Sequence, residues 1–161
     1  MNQELENVPM FRKFLGNTAF TEGWGLYSEY IPKEIGFYKD PYSDFGRLSM
    51  ELWRAARLVV DTGIHHYKWP LEKVVSYLKE NTPNSQDEID KGAQRYFVMP
   101  GQATAYKIGQ LKILTLRAEA KKQLGEKFDI KNFHEAVLKN GAVPLFELEK
   151  QVAEYISKTK I

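Results

Sequence analysis

Apolar residues recur every three or four positions almost throughout this chain, and no stretch shows convincing strand alternation. A half-buried strand needs a period of two, whereas spacing at i, i+3, i+4 and i+7 gathers side chains along one side of a helix. The pattern predicts an all-α fold of about seven helices, packed as one unit over residues 1–161. With 161 residues, 43% hydrophobic and 13% aromatic, the chain can bury a sizeable core and does not read as disordered.

Breakers and capping residues set the expected boundaries. Asn17 or Thr18 opens a helix to about Ile31, ended by Pro32 and Gly36. After a turn-rich segment over 37–46, a long helix is predicted from about Ser43 to Tyr67, its apolar stripe at Leu48, Leu52, Ala55, Val59, Gly63 and Ile64. Pro70 suits the first residue of a short helix to Glu80. Ser85 followed by Glu88 is a capping-box pattern, opening a helix to about Phe97. Residues 98–102, Val-Met-Pro-Gly-Gln, break that helix and launch another through Leu124, with Gly125 as its stop. Asp129 and Gly141 bracket a further helix, and Pro144 begins the last, to about Ser157.

Composition narrows the function classes. The 23 basic and 21 acidic residues leave a net charge of +2, the basic residues are scattered, and no nucleic-acid motif is present. No apolar run is long enough to span a bilayer. Cysteine is absent, which excludes a disulfide scaffold, a Cys-ligated zinc site and a cysteine nucleophile. The first residues carry no signal-peptide pattern, so the compartment stays open.

Three segments carry residues suited to chemistry. In residues 18–29, TAFTEGWGLYSE, Glu22 lies between Thr21 and Gly23, with Gly25 close by. Glycine weakens a helix by about 1 kcal/mol relative to alanine, so Gly23 and Gly25 imply a close approach to the backbone. Glu22 and Glu29, seven apart, point to nearly the same side. A glutamate in a first helical turn is ordinarily a solvated anion favoured by the helix dipole.

In the long helix, Arg54, Arg57, Asp61 and His65 share a narrow arc opposite the expected apolar stripe. Periodicity reads this as a solvated face with a modest Arg57–Asp61 pair. Met50 and Leu58 on the same side do not suit a simple solvent face, and the alternative is a face that lines a polar cavity between two helical lobes. In QRYFVMPGQATAYKIG, residues 94–109, Gln102, Tyr106 and Gly109 share a helix face. A tyrosine hydroxyl there could donate to a tetrahedral intermediate, and Arg95 could hold a carboxylate by a bidentate fork. The structural alternative is a buried Tyr96/Tyr106 pair with satisfied hydroxyls. His66 and His134 read as structural, and Glu135 has no second histidine with which to complete an HExxH-type site.

These three segments, together with FHEAVLKNGAVPLFELEKQV near the end, resemble the bacterial DUF885 family, whose layout is similar to that of helical zinc metallopeptidases. The resemblance covers residues 3–158. It implies that Glu22 is a metal ligand, with Glu29 and Asp61 orienting groups behind the ligands. Tyr106 and His65 would be catalytic donors, and Arg95 and Gln102 would bind substrate. In the family a His-Glu…Gly-His-His element precedes a segment resembling NQELENVPMFRKF, and these 161 residues do not contain it. A catalytic zinc keeps three protein ligands and one open position, so the expectation is a C-terminal portion of a larger catalytic domain. It would be inactive alone, with zinc bound in the full-length protein but not by this chain. The implied partner is a peptide substrate, with no nucleic acid and no membrane, and self-association through the N-terminal face is expected. The competing reading is a non-catalytic all-helical binding or scaffold module.

Overall fold

The computed structural model describes Glu6 and residues 8–161. Its helices are Met10–Phe14 (α1), Thr18–Ser28 (α2), Ile31–Glu34 (α3), Pro41–His65 (α4), Leu71–Asn81 (α5), Gln86–Val98 (α6), Ala105–Leu124 (α7), Ile130–Leu138 (α8) and Leu145–Lys160 (α9). Tight 3-10 turns occupy Gln102–Thr104 and Gly125–Lys127. The fold is all-α. Among the described residues there is no strand, and seven of the helices have nine residues or more, close to the number expected.

Local chemistry sets the helix ends. The Asp40 carboxylate accepts from the Ser43 amide at 2.9 Å, and Pro41 fills the first turn, where its missing N–H costs nothing. Helix α4 therefore starts two residues earlier than its apolar spacing suggests. Ser85 and Glu88 form the reciprocal cap: the Glu88 amide donates to Ser85 Oγ at 3.4 Å, and the Ser85 amide donates to Glu88 Oε2 at 3.0 Å. Asp129 caps α8 through the Asn132 amide at 2.8 Å. Pro70 and Pro144 stand just outside α5 and α9 rather than within them.

The chain divides into two compact units, one made of the residues up to Trp24 with Ile108–Ile161, the other of Gly25–Lys107. Helix α2 crosses that division between Trp24 and Gly25, and α7 crosses it between Lys107 and Ile108. In the first unit Phe20, Ile113, Phe133, Val137, Leu148 and Val152 are fully enclosed. Here α2 and α7 meet backbone to backbone. A Cβ on Gly23 would come within 2.8 Å of the Gln110 nitrogen and closer still to Gly109 Cα and C. The close approach expected at Gly23 is thus made by a second helix. Around Gly25 there is open space within 4 Å.

In the second unit α4, α5 and α6 pack together around Trp53, Val60, Val74, Leu78, Ile89 and Tyr96. This corrects the buried face expected for α4. Gly63 and Ile64 are buried, but Leu48, Leu52 and Val59 are 49%, 46% and 39% exposed. The core side is instead the adjacent row Trp53, Ala56, Val60 and Ile64. Rotating the helix in this way carries Asp61 into the interior, where it is 5% exposed, and brings Arg54 and Arg57 to the edge of the core. No described helix is long and apolar enough to cross a membrane.

Candidate functional site

Within the second unit, α4 places Arg57 among three aromatic rings. Its guanidinium carbon lies 5.6 Å from the Trp53 ring centroid, 5.7 Å from Tyr96 and 5.2 Å from Tyr106. Arg54, one turn earlier, lies 5.6 Å from the Tyr106 ring. Gly92 makes room for this arrangement: a Cβ there would sit 3.0 Å from Trp53 Cζ2 and 3.1 Å from the Tyr96 hydroxyl. Two guanidinium groups therefore flank Tyr106, which is neither fully buried nor fully exposed.

The electrostatics of the cluster are unbalanced. Neither arginine has an ion-pair partner among the described residues. Nε of Arg54, Nε of Arg57 and the Tyr96 hydroxyl are buried without a hydrogen-bond partner. Burial lowers the Arg54 pKa, the adjacent Arg57 charge lowers it further, and Glu29 works against both. Burial raises the Tyr96 pKa, against the pull of Arg57. Burying unpaired donors and like charges costs free energy, and such groups cluster at functional sites.

The residues around the cluster hold it in place. Both Asp61 carboxylate oxygens accept from the Gly101 amide, at 3.2 and 3.1 Å. Gly101 has φ +78°, a left-handed conformation that suits glycine, and its carbonyl accepts from Thr104 Oγ1 at 2.7 Å. The Arg57–Asp61 pair expected from i,i+4 spacing does not form, because Asp61 turns inward to anchor the Pro100-Gly101 turn that leads into Tyr106. His65 Nε2 lies 2.9 Å from the Tyr96 carbonyl. Since a carbonyl only accepts, Nε2 carries the hydrogen, and His65 satisfies one of the last carbonyls of α6. Arg95 donates through Nη2 to Gln102 Oε1 at 3.0 Å, and the pair lies at the surface. Glu51 binds Lys107 Nζ at 2.7 Å and Arg47 Nη1 at 3.0 Å. Burial pushes the Glu51 carboxyl up, but these two cations outweigh it and hold it below the usual range.

Within the second unit, His65 meets the Tyr96 carbonyl, Asp61 the Gly101 amide and Arg95 the Gln102 side chain, while Tyr106 lies beside Arg54 and Arg57. Glu29 belongs to the same unit and acts on Arg54 through its charge. Glu22 stands in the other unit, half-buried on α2 beside Gly23. His134 also lies there, packed edge-on against Trp24 with ring centroids 5.3 Å apart. Among the described residues no three His, Asp or Glu side chains are grouped as metal ligands. Sequence reasoning gave Arg54, Arg57 and Tyr96 no part in the chemistry of the site. The available signal was the nearness of Trp53 to two arginines, which pair by stacking as readily as by charge.

An all-helical chain with a half-buried cationic and aromatic cluster is the class these features define. By sequence, residues 1–152 match the family model described as "Bacterial protein of unknown function (DUF885)", and the chain belongs to that family. It is also similar to a solved structure, "the putative lipoprotein from Colwellia psychrerythraea", with a TM-score of 0.94 and 45% identity over 98% of this chain. The chain spans 27% of that protein's length. No curated protein matches it.

Proposed function

We propose that this chain forms part of the active-site wall of a peptidase-like hydrolase that uses zinc in its full-length form. The observation that carries the reading is Tyr106, flanked by two guanidinium groups without ion-pair partners, on a helix whose start is fixed by Asp61 and Gly101. Donors held in place before reaction, in a site with little water, stabilise charge that develops on an acyl oxygen. Tyr106 would donate to that oxygen. His65 would hold the α6 end through Tyr96, a positioning role. Arg95 and Gln102 would form an outer polar rim to the substrate site.

Glu22 is a single carboxylate, and a catalytic zinc takes three protein ligands. Glu22 would serve as a ligand in the longer protein, with histidines supplied elsewhere. The exposed Met10, Phe11 and Phe14 of α1, with Leu15 just after it, would be covered in that longer protein, or in its absence by a second copy of the chain.

Metal analysis and peptide cleavage on the full-length protein test the reading. Glu22→Ala is expected to lower zinc content and abolish cleavage. Tyr106→Phe is expected to keep the metal and reduce kcat by roughly 10²–10³-fold, the usual loss on removing one oxyanion donor. Unchanged zinc in Glu22→Ala refutes the ligand assignment. A full-length protein without metal or cleavage would leave the non-catalytic helical module as the better reading.

A further inference from the structure

The arginine pair carries more than an oxyanion role requires. Each guanidinium has five N–H donors in a fixed plane. Arg54 Nη1 donates to the Met50 carbonyl at 3.3 Å, and Arg57 is close enough to the Tyr96 hydroxyl to work against the burial that raises its pKa, by charge and by hydrogen bonding. The Arg57 guanidinium carbon lies over the rings of Trp53, Tyr96 and Tyr106, contacts that use its charge and leave most of its five N–H donors without a bond to a described residue. The two carboxylates that α4 carries nearest the pair are committed: Asp61 to the Gly101 amide, Glu51 to Lys107 and Arg47. Glu29 influences Arg54 by its charge but stands outside ion-pair distance. Two like charges held side by side against aromatic rings are an incomplete arrangement, and an anion between them completes it.

We infer that Arg54 and Arg57 form a carboxylate-binding fork, and that the full-length protein recognises substrates ending in a free carboxylate next to an apolar side chain. The inference rests on the hydrolase reading for the word substrate, but not for the binding itself. An arginine held among aromatic rings is pre-organised, so less rotamer freedom is lost when its parallel N–H groups meet a planar carboxylate. Of the three rings, Tyr106 is the one that is partly exposed, and it favours an apolar group beside that anion over a fully hydrated one. This fits a peptide C-terminus better than a free inorganic anion. It also moves carboxylate recognition away from Arg95, which is at the surface and already bonded to Gln102.

The test is calorimetric binding to the full-length protein, with N-acetylphenylalanine and its C-terminal amide as probes and inorganic phosphate as a third. The free acid is expected to bind roughly 10- to 100-fold more tightly than the amide, the effect of one charge-assisted hydrogen-bonded pair. Phosphate is expected to bind more weakly than the acid. Arg57→Gln should erase the preference for acid over amide, and Arg57→Lys should recover only part of it, because lysine keeps the charge but not the fork. Where Arg57→Gln does not fold, judged by its melting curve, Arg54→Gln serves the same purpose. Equal binding of acid and amide by the unmodified protein overturns the inference. So does phosphate binding as tightly as the acid, or a folded Arg57→Gln protein that keeps the preference. A protein that selects the acid but cleaves no peptide overturns the hydrolase reading and leaves the fork standing. One that cleaves peptides but binds acid and amide alike does the reverse.

Discussion

Gly23 and Gly25 sit two residues apart on the same helix, and alanine at the two positions should have opposite effects. At Gly23 the new methyl must reach ordinary contact, which begins near 3.4 Å, from positions of 2.8 Å and less against the backbone of Gly109 and Gln110. Those atoms cannot rotate away, so α2 and α7 must part by over half an ångström and loosen the burial of Phe20 and Ile113. Overpacking of this kind costs about 1–3 kcal/mol, and rigid backbone neighbours favour the upper end. Alanine returns about 1 kcal/mol of helix propensity. The net is a loss of about 2 kcal/mol, or roughly 4–8 °C in Tm for a chain of this size. Gly25→Ala meets nothing within 4 Å and should gain about 0.5–1 kcal/mol through the same propensity. Gly109→Ala should be worse than Gly23→Ala, since its Cβ would fall 2.7 Å from Gly23 Cα and nearer still to the Ala19 carbonyl oxygen. Thermal and urea unfolding followed by circular dichroism reads all three. A Gly23→Ala protein that melts at or above the unmodified chain would refute the close crossing.

Two further substitutions probe the second unit. Asp61→Ala removes the acceptor of the Gly101 amide and should cost about 1.5–3 kcal/mol, as for hydrogen bonds to charged groups; faster exchange of the Gly101 amide hydrogen than in the rest of the unit would register it. Glu51 has its carboxyl held below its ordinary value of 4.5 by Lys107 and Arg47 against burial. Its contribution to stability is therefore present above 4.5 and lost as pH falls through the lowered folded value. Glu51→Gln should accordingly be less stable than the unmodified chain at neutral pH, and the gap should close in acid unfolding titrations; a constant gap across that range would refute the assignment.

The helix starts and stops were legible because they depend on residues a few positions apart. Ser85 with Glu88, Asp129 before α8 and Gly125 after α7 act through local hydrogen bonds or a single φ angle. The buried face of α4 was not, because that helix has two neighbouring apolar rows. Leu48, Leu52 and Val59 form one, and Trp53, Ala56, Val60 and Ile64 form the other. Spacing cannot choose between them. The choice is made by α5 and α6, whose Val74, Leu78 and Ile89 meet the second row. That rotation decided the site as well. Arg54 and Arg57 read as solvated while the first row was taken as core. Asp61 read as a surface partner for Arg57, because its true partner, Gly101, lies 40 residues away. Tyr106 was legible as a candidate from its place after the Pro-Gly break, which a helix start enforces locally.

The bond between Asp61 and Gly101 closes a loop containing all of α5 and α6. Everything between those two residues hangs from a fixed base, so the free end of the α5–α6 hairpin, at residues 82–85, can lengthen without altering the turn that sets Tyr106. Loop-closure entropy grows only logarithmically, by about 0.6 kcal/mol for each doubling of length. Variation among family members should therefore gather at that hairpin tip, while the spacing from Gly101 to Tyr106 stays constant. The hairpin is where this fold can accept new sequence, and a specificity loop grafted there would leave the geometry around Tyr106 unchanged.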